Sequence, residues 1–175
     1  MRIVLISAAL IASPALCHAT TLQKLTTDDM IRQSTSIVRA TVTGTSTVQR
    51  GSDIYTYYQF TVTETLKAGP AQVSAVAVPG GTFNGLRQLA AGAPALAKGQ
   101  DYVIFLWTGK SGMTQVIGLS QGLFTVMQND ANETVVVRGP IDSFMLDRAG
   151  RVVSDSGLTL KLSDLRTQIR KASGN

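Results

Sequence analysis

From Ile37 to Leu66 the chain alternates apolar and polar residues, interrupted once by a turn-forming stretch. Val38, Ala40 and Val42 fall on one side of the first half, with Arg39, Thr41 and Thr43 on the other. In the second half Tyr58, Phe60 and Val62 face one way while Gln59, Thr61 and Thr63 face the other. Side chains of an extended chain point alternately to opposite faces, so period two with β-branched residues means strands. Gln49 to Asp53 contains Gly51-Ser52-Asp53, residues suited to a turn. The two segments read as one long hairpin, and an isolated hairpin is marginal in water unless further strands or helices cover its apolar face.

Those further elements are legible. Gln72 to Val78 gives a third strand, and the run Tyr102-Val103-Ile104-Phe105-Leu106-Trp107 within Asp101 to Thr108 reads as a buried one. Met113 to Leu119, Gly122 to Gln128 and Glu133 to Arg138 follow, separated by Gly109–Gly112 and Asn129–Asn132 as turns. A weaker pair is expected at Ser143 to Leu146 and Arg151 to Val153. Thr26-Thr27-Asp28-Asp29 suits a helix start, which predicts a short helix over 27–34. Ser163 is the expected cap of a second helix reaching about Lys171, with Leu162, Leu165 and Ile169 on its apolar face. Many strands with short turns and no βαβ alternation define an all-β fold: an antiparallel barrel or a sandwich, with short N- and C-terminal helices.

The first residues carry an address. Met1-Arg2 is a short positive start, Ile3 to Ala12 is apolar, and Ser13-Pro14 breaks that run. Ala15-Leu16-Cys17-His18-Ala19 then places small residues, Cys17 and Ala19, at the minus-three and minus-one positions ahead of Thr20. This is the layout of a secretory signal peptide over 1–19, which leaves a single domain over 20–175 and implies a secreted or periplasmic protein. The apolar run is shorter than the ~20 residues that span a bilayer. Cleavage also removes Cys17 and His18, the only Cys and the only His, and with Arg2 lowers the formal net charge of +5 by one.

Loss of thiol and imidazole restricts the chemistry. Gly118-Leu119-Ser120-Gln121-Gly122 matches the G-x-S-x-G nucleophile elbow, but that motif needs a strand-to-helix turn and a histidine base. A serine hydrolase using Ser120 with a lysine base, Lys98 or Lys110, is the enzymatic alternative. Gly109-Lys110-Ser111 lacks the upstream glycine of a phosphate-binding loop, since position 104 is Ile. Carboxylates at Asp28, Asp29, Asp130, Glu133, Asp142 and Asp147 lack calcium-loop spacing, so no metal and no cofactor is expected. The basic residues are scattered except in the last helix, which disfavours nucleic acid as a partner, although Tyr55, Tyr57 and Tyr58 keep an oligonucleotide-binding barrel among the alternatives.

One stretch stands out. Residues 79–100 are rich in glycine and proline, and loops of this length in compact domains are functional or disordered more often than not. Its plain reading is a packed surface loop closing the barrel. Its sharper reading is a contact edge in which Phe83 is an apolar anchor and Asn84, Arg87 and Gln88 supply polar contacts.

Several segments together resemble a known family. Asp29-Met30-Ile31-Arg32-Gln33 with Ser36-Ile37-Val38-Arg39-Ala40, Thr65-Leu66-Lys67-Ala68-Gly69, Pro79-Gly80-Gly81-Thr82, Lys98-Gly99-Gln100, Phe105-Leu106-Trp107 and Gly118-Leu119-Ser120-Gln121-Gly122 resemble an uncharacterised family of secreted bacterial β-domains. Such domains occur alone or near matrixin-type metalloproteases. The order of a short helix, an Ile-Val-Arg-Ala strand, a long hairpin, a Lys-Ala-Gly turn and a Gly-Gln-Asp-Tyr-Val-Ile strand is loosely similar to netrin-like domains, the barrels of metalloprotease inhibitors. Those inhibitors grip zinc through an N-terminal cysteine that the chain after Ala19 lacks. The resemblance implies the fold, and the expectation is a non-enzymatic exported module that binds a protein or an envelope component. An accessory or inhibitor of an exported metalloprotease is one form of that role.

Overall fold

The computed structural model describes residues 21–173; the expected leader lies outside them. Along the chain run β1 (Leu22–Gln23), α1 (Thr27–Gln33), β2 (Ser36–Arg50), β3 (Asp53–Lys67), β4 (Ala75–Pro79), β5 (Gly81–Phe83) and β6 (Leu86–Gln88). They are followed by β7 (Asp101–Thr108), β8 (Thr114–Val116), β9 (Leu123–Gln128), β10 (Thr134–Arg138), β11 (Met145–Leu146), β12 (Val152–Val153), β13 (Leu158–Lys161) and α2 (Leu162–Ala172). The molecule is mostly strand with two short helices, as the alternation predicts.

The expected hairpin is β2–β3, paired from Ile37↔Lys67 to Arg50↔Asp53. It belongs to an antiparallel sheet ordered β13-β10-β9-β7-β2-β3-β4, with β8 beside β9 along the same edge of β7. Register shifts after Ile37, Arg39 and Val42 interrupt the β2–β3 ladder. Bulges bend and twist the strand that carries them, and the sheet curls until β4 comes within 8 Å of β8. No ladder joins those two strands, so the barrel does not close and the architecture is a sheet folded on itself, sandwich-like.

Both faces of the sheet are covered. Val38, Ala40, Val42, Phe60, Val76, Val78, Tyr102, Ile104, Leu106 and Val116 fill the concave side, with Leu96 plugging it from the 89–100 segment. On the convex side Ile37, Val103, Phe105, Phe124 and Val136 pack against Met30 and Ile31 of α1 and Leu162, Leu165 and Ile169 of α2. Each fully buried side chain of this kind contributes about 1.5–3 kcal/mol through area removed from water.

Local chemistry fixes the helices. Thr26 Oγ1 accepts the Asp29 amide at 3.1 Å while Asp29 Oδ2 accepts the Thr26 amide at 3.2 Å, a reciprocal capping box. At the other end of α1, Lys67 Nζ donates to the carbonyls of Ile31 and Ser34, both at 2.7 Å. Arg166 of α2 donates to both Glu64 oxygens of β3, at 2.8 and 2.7 Å. The expected Ser163 cap is corrected. α2 follows directly from β13, Lys161 is its N-cap without a side-chain bond, and Ser163 lies inside the first turn with its hydroxyl on Asp164. Leu162 has to enter the core at that point, which starts the helix earlier than capping chemistry suggests.

Two other expectations change. The strand expected over Met113 to Leu119 ends at Val116, because Gly118 and Leu119 both take left-handed backbone, φ 59° and 58°. Trp107, read as part of a buried run, is 47% exposed. It lies just beyond the last β2–β7 pair, Ser36↔Leu106, so that β8 alone pairs with it, through Gln115.

Candidate binding edge at the β5–β6 hairpin

The long 79–100 segment is not loop throughout. Gly81–Phe83 and Leu86–Gln88 pair as a hairpin in which Phe83 lies opposite Leu86 and Thr82 opposite Arg87. Asn84 and Gly85 form its tight turn, with φ of 47° and 79°. Positive φ at both central residues is what a type I′ turn demands, and Asn-Gly is the pair that adopts it most readily. That dipeptide, flanked by Thr82-Phe83 and Leu86, is the sequence signal that discloses the hairpin.

The hairpin is seated against the tip of β2–β3. The Gly80 amide donates to Ile54 O at 2.7 Å, and Thr56 Oγ1 donates to Gly80 O at 2.9 Å. Gly81 has φ 139°, and a Cβ there would lie 2.5 Å from Thr56 Oγ1, so only glycine lets the strand approach this closely. From the return strand, Gln88 Oε1 accepts the Ile54 amide at 2.5 Å, and its Nε2 lies 3.3 Å from Asp53 Oδ1.

The four residues expected at a contact edge therefore divide by role. Asn84 is exposed at the turn it shapes, while Gln88 is half-buried and its side-chain amide bonds Ile54 N and Asp53. Phe83 is half-buried, and Arg87 is exposed with no ion pair among the described residues. Two neighbours without a signal in the sequence are more available: Leu86 is 61% exposed and Leu89 is 79% exposed. An isolated leucine reads as core in a sequence, and only the hairpin's projection from the sheet puts these two in solvent.

Several charged groups elsewhere are engaged internally. Asp155 takes Arg138 Nη1 at 2.5 Å and Nη2 at 3.0 Å, and Asp29 takes Arg32 and Arg148. In the last helix region Lys161 pairs with Glu133 and Arg166 with Glu64. Ser120 sits in the Ile117–Gly122 connection between two strands and lines a recess of about 380 Å³ whose other lining residues include Arg138, Asp142 and Tyr102 but no lysine. Gln121 beside it is buried, with Oε1 accepting the Leu25 amide at 2.8 Å and Nε2 donating to Gln23 O at 2.9 Å. Among the described residues no group of three His, Cys, Asp or Glu gathers where it could hold a metal ion. No helix among them is long and apolar enough to cross a membrane.

The geometry defines a folded β-sheet scaffold that presents a hydrogen-bonded hairpin with exposed apolar side chains and a cation, Arg87, that pairs with no described residue. Neither a scan of family models nor a search of curated proteins finds a match to the chain.

Proposed function

We propose that the protein is an exported, non-enzymatic binding module whose contact edge is the β5–β6 hairpin, and that its partner is another exported or envelope protein. The observation that carries this reading is the pairing of a fixed backbone with exposed anchors. Gln88, Gly80 and Thr56 hold the hairpin to β3, while Leu86, Leu89 and Arg87 project from it. A pre-ordered segment loses little entropy on binding, and a few apolar and arginine side chains dominate most interfaces. The unpaired Arg87 favours a partner surface that offers a carboxylate. An accessory or inhibitory role toward an exported metalloprotease, and kinship with the secreted β-domain family, belong to the same reading through the resemblance of sequence segments.

A photo-crosslinking amino acid placed at Leu86 tests it, with the same group at Lys171 as the control. Exposure to the host's exported fraction is expected to give a discrete crosslinked protein from position 86 only. Crosslinks from position 171 alone, or from neither, contradict the reading.

A further inference from the structure

At the seam of the curled sheet, where β4 approaches β8, lies a cavity of about 540 Å³ separate from the hairpin's exposed tip. Ala77, Val78 and Pro79 line one side and Gln115, Val116 and Ile117 the other, with Trp107 and Gln33 among the remaining lining residues. Its size is that of a small-ligand site, about 300–1,000 Å³. We propose that this groove binds a neutral oligosaccharide, with the Trp107 indole as stacking platform and the Gln33 and Gln115 side-chain amides as its hydrogen-bonding partners.

Four observations select that ligand class. Trp107 is the only tryptophan in the chain and is 47% exposed in a strand whose preceding five residues are buried. Its ring lies close against backbone: a Cβ on Gly109 would lie 2.9 Å from Trp107 Cη2 and 3.1 Å from Cζ3, so the absence of a side chain at position 109 makes room for the indole. The side-chain amides of Gln33 and Gln115 hydrogen-bond no other described residue, and Gln115 lies directly across the ladder from Trp107. The lining carries no charged residue, in a chain of formal net charge +5.

A pyranose ring matches each of these. Its C–H face suits the electron-rich face of an indole, and its hydroxyls both donate and accept, as an amide requires. A purely apolar ligand would bury the two amides without partners, at a cost of about 1–3 kcal/mol for each unsatisfied group. A nucleic acid would meet no cation in the lining. An added peptide strand needs about 9.6 Å between its two neighbours, twice the strand spacing, whereas Cα atoms of β4 and β8 come within 8 Å.

The single tryptophan makes the site its own reporter. The purified full chain is titrated with chitotetraose, cellotetraose, maltotetraose and xylotetraose while Trp107 emission is followed, and any response is repeated by calorimetry on the parent, Trp107→Ala and Gln115→Ala. The expected result is a saturable emission change with at least one tetraose, affinity reduced about tenfold or more in each variant, and an unchanged unfolding temperature in Gln115→Ala. Absence of any emission change up to the solubility limit of each sugar, or variants that bind as tightly as the parent, overturns the proposal. The hairpin triple variant Leu86→Ala, Arg87→Ala, Leu89→Ala should retain the sugar response, so failure of the protein-binding reading and failure of this one are distinguishable.

Discussion

Gln88 Oε1 accepts a hydrogen bond from the Ile54 amide at 2.5 Å, across 34 residues of sequence. A residue that reads as a surface contact thus hydrogen-bonds a backbone amide of β3 and, with Gly80 and Thr56, fixes where the exposed edge sits. Gln88→Ala leaves the Ile54 amide without this partner, a loss worth about 1–3 kcal/mol. Hydrogen exchange is expected to speed up at residues 81–88 and at Ile54, with the rest of the sheet unchanged. Arg87→Ala, by comparison, should leave exchange and stability within ~0.5 kcal/mol of the parent.

The turn is equally specific. Gly85 has φ 79° with nothing within 4 Å of where a Cβ would stand, so replacement meets backbone strain and no clash. Gly85→Ala should destabilise the hairpin by about 1 kcal/mol, seen as local exchange at 81–88. It should also weaken partner binding without removing any contact side chain. Asn84→Gly should be tolerated, since glycine takes positive φ freely.

Gln121 ties the first described strand to the sheet. Buried, it accepts from Leu25 N and donates to Gln23 O, two backbone groups that an apolar replacement leaves without this partner. Gln121→Leu should cost about 2–4 kcal/mol. Limited proteolysis should then cut ahead of Thr26 before any other site.

Acid should unfold the protein through three carboxylates. The Thr26 hydroxyl bond holds Asp29 below the usual carboxylate range, against the opposing effect of burial and with help from Arg148 and Arg32. The Arg166 guanidinium does the same for Glu64, and that of Arg138 for Asp155, burial again opposing in both. A group whose folded pKa is depressed adds stability that is fully present above its unfolded value and lost as pH falls through the folded one. Stability should therefore be flat at neutral pH and fall as pH drops below about 4, near the ordinary carboxylate values. Asp155→Asn should lower stability at neutral pH and flatten that acid slope, measured by denaturant unfolding at each pH.

What can be read from the sequence follows periodicity and local capping. The β2–β3 hairpin, the Thr26 helix start and the β7, β9 and β10 strands carry patterns that no tertiary context has to supply. β13 escapes such a reading because its four residues, with alternating exposure, make too short a pattern. The β5–β6 hairpin is too short for periodicity to show, its two three-residue strands merging into glycine-rich surroundings, and only the Asn84-Gly85 turn marks it. The proposed contact edge lies in the segment the sequence singles out, where Leu86 and Leu89 are more exposed than Phe83 and Gln88. Whether Gln88 bonds solvent or the Ile54 amide depends on how the hairpin folds back over β3, and that geometry has no local signature. Trp107 shows the same limit, since its exposure depends on where β2 stops pairing, not on its own strand.

The most direct measurement is a paired pull-down from the host's exported fraction, with the parent protein and the Leu86→Ala, Arg87→Ala, Leu89→Ala variant as baits. Circular dichroism first checks that both are folded. The predicted result is an exported protein retained by the parent and lost with the variant. The same proteins on both baits, or none on either, would contradict a binding module that acts through this hairpin.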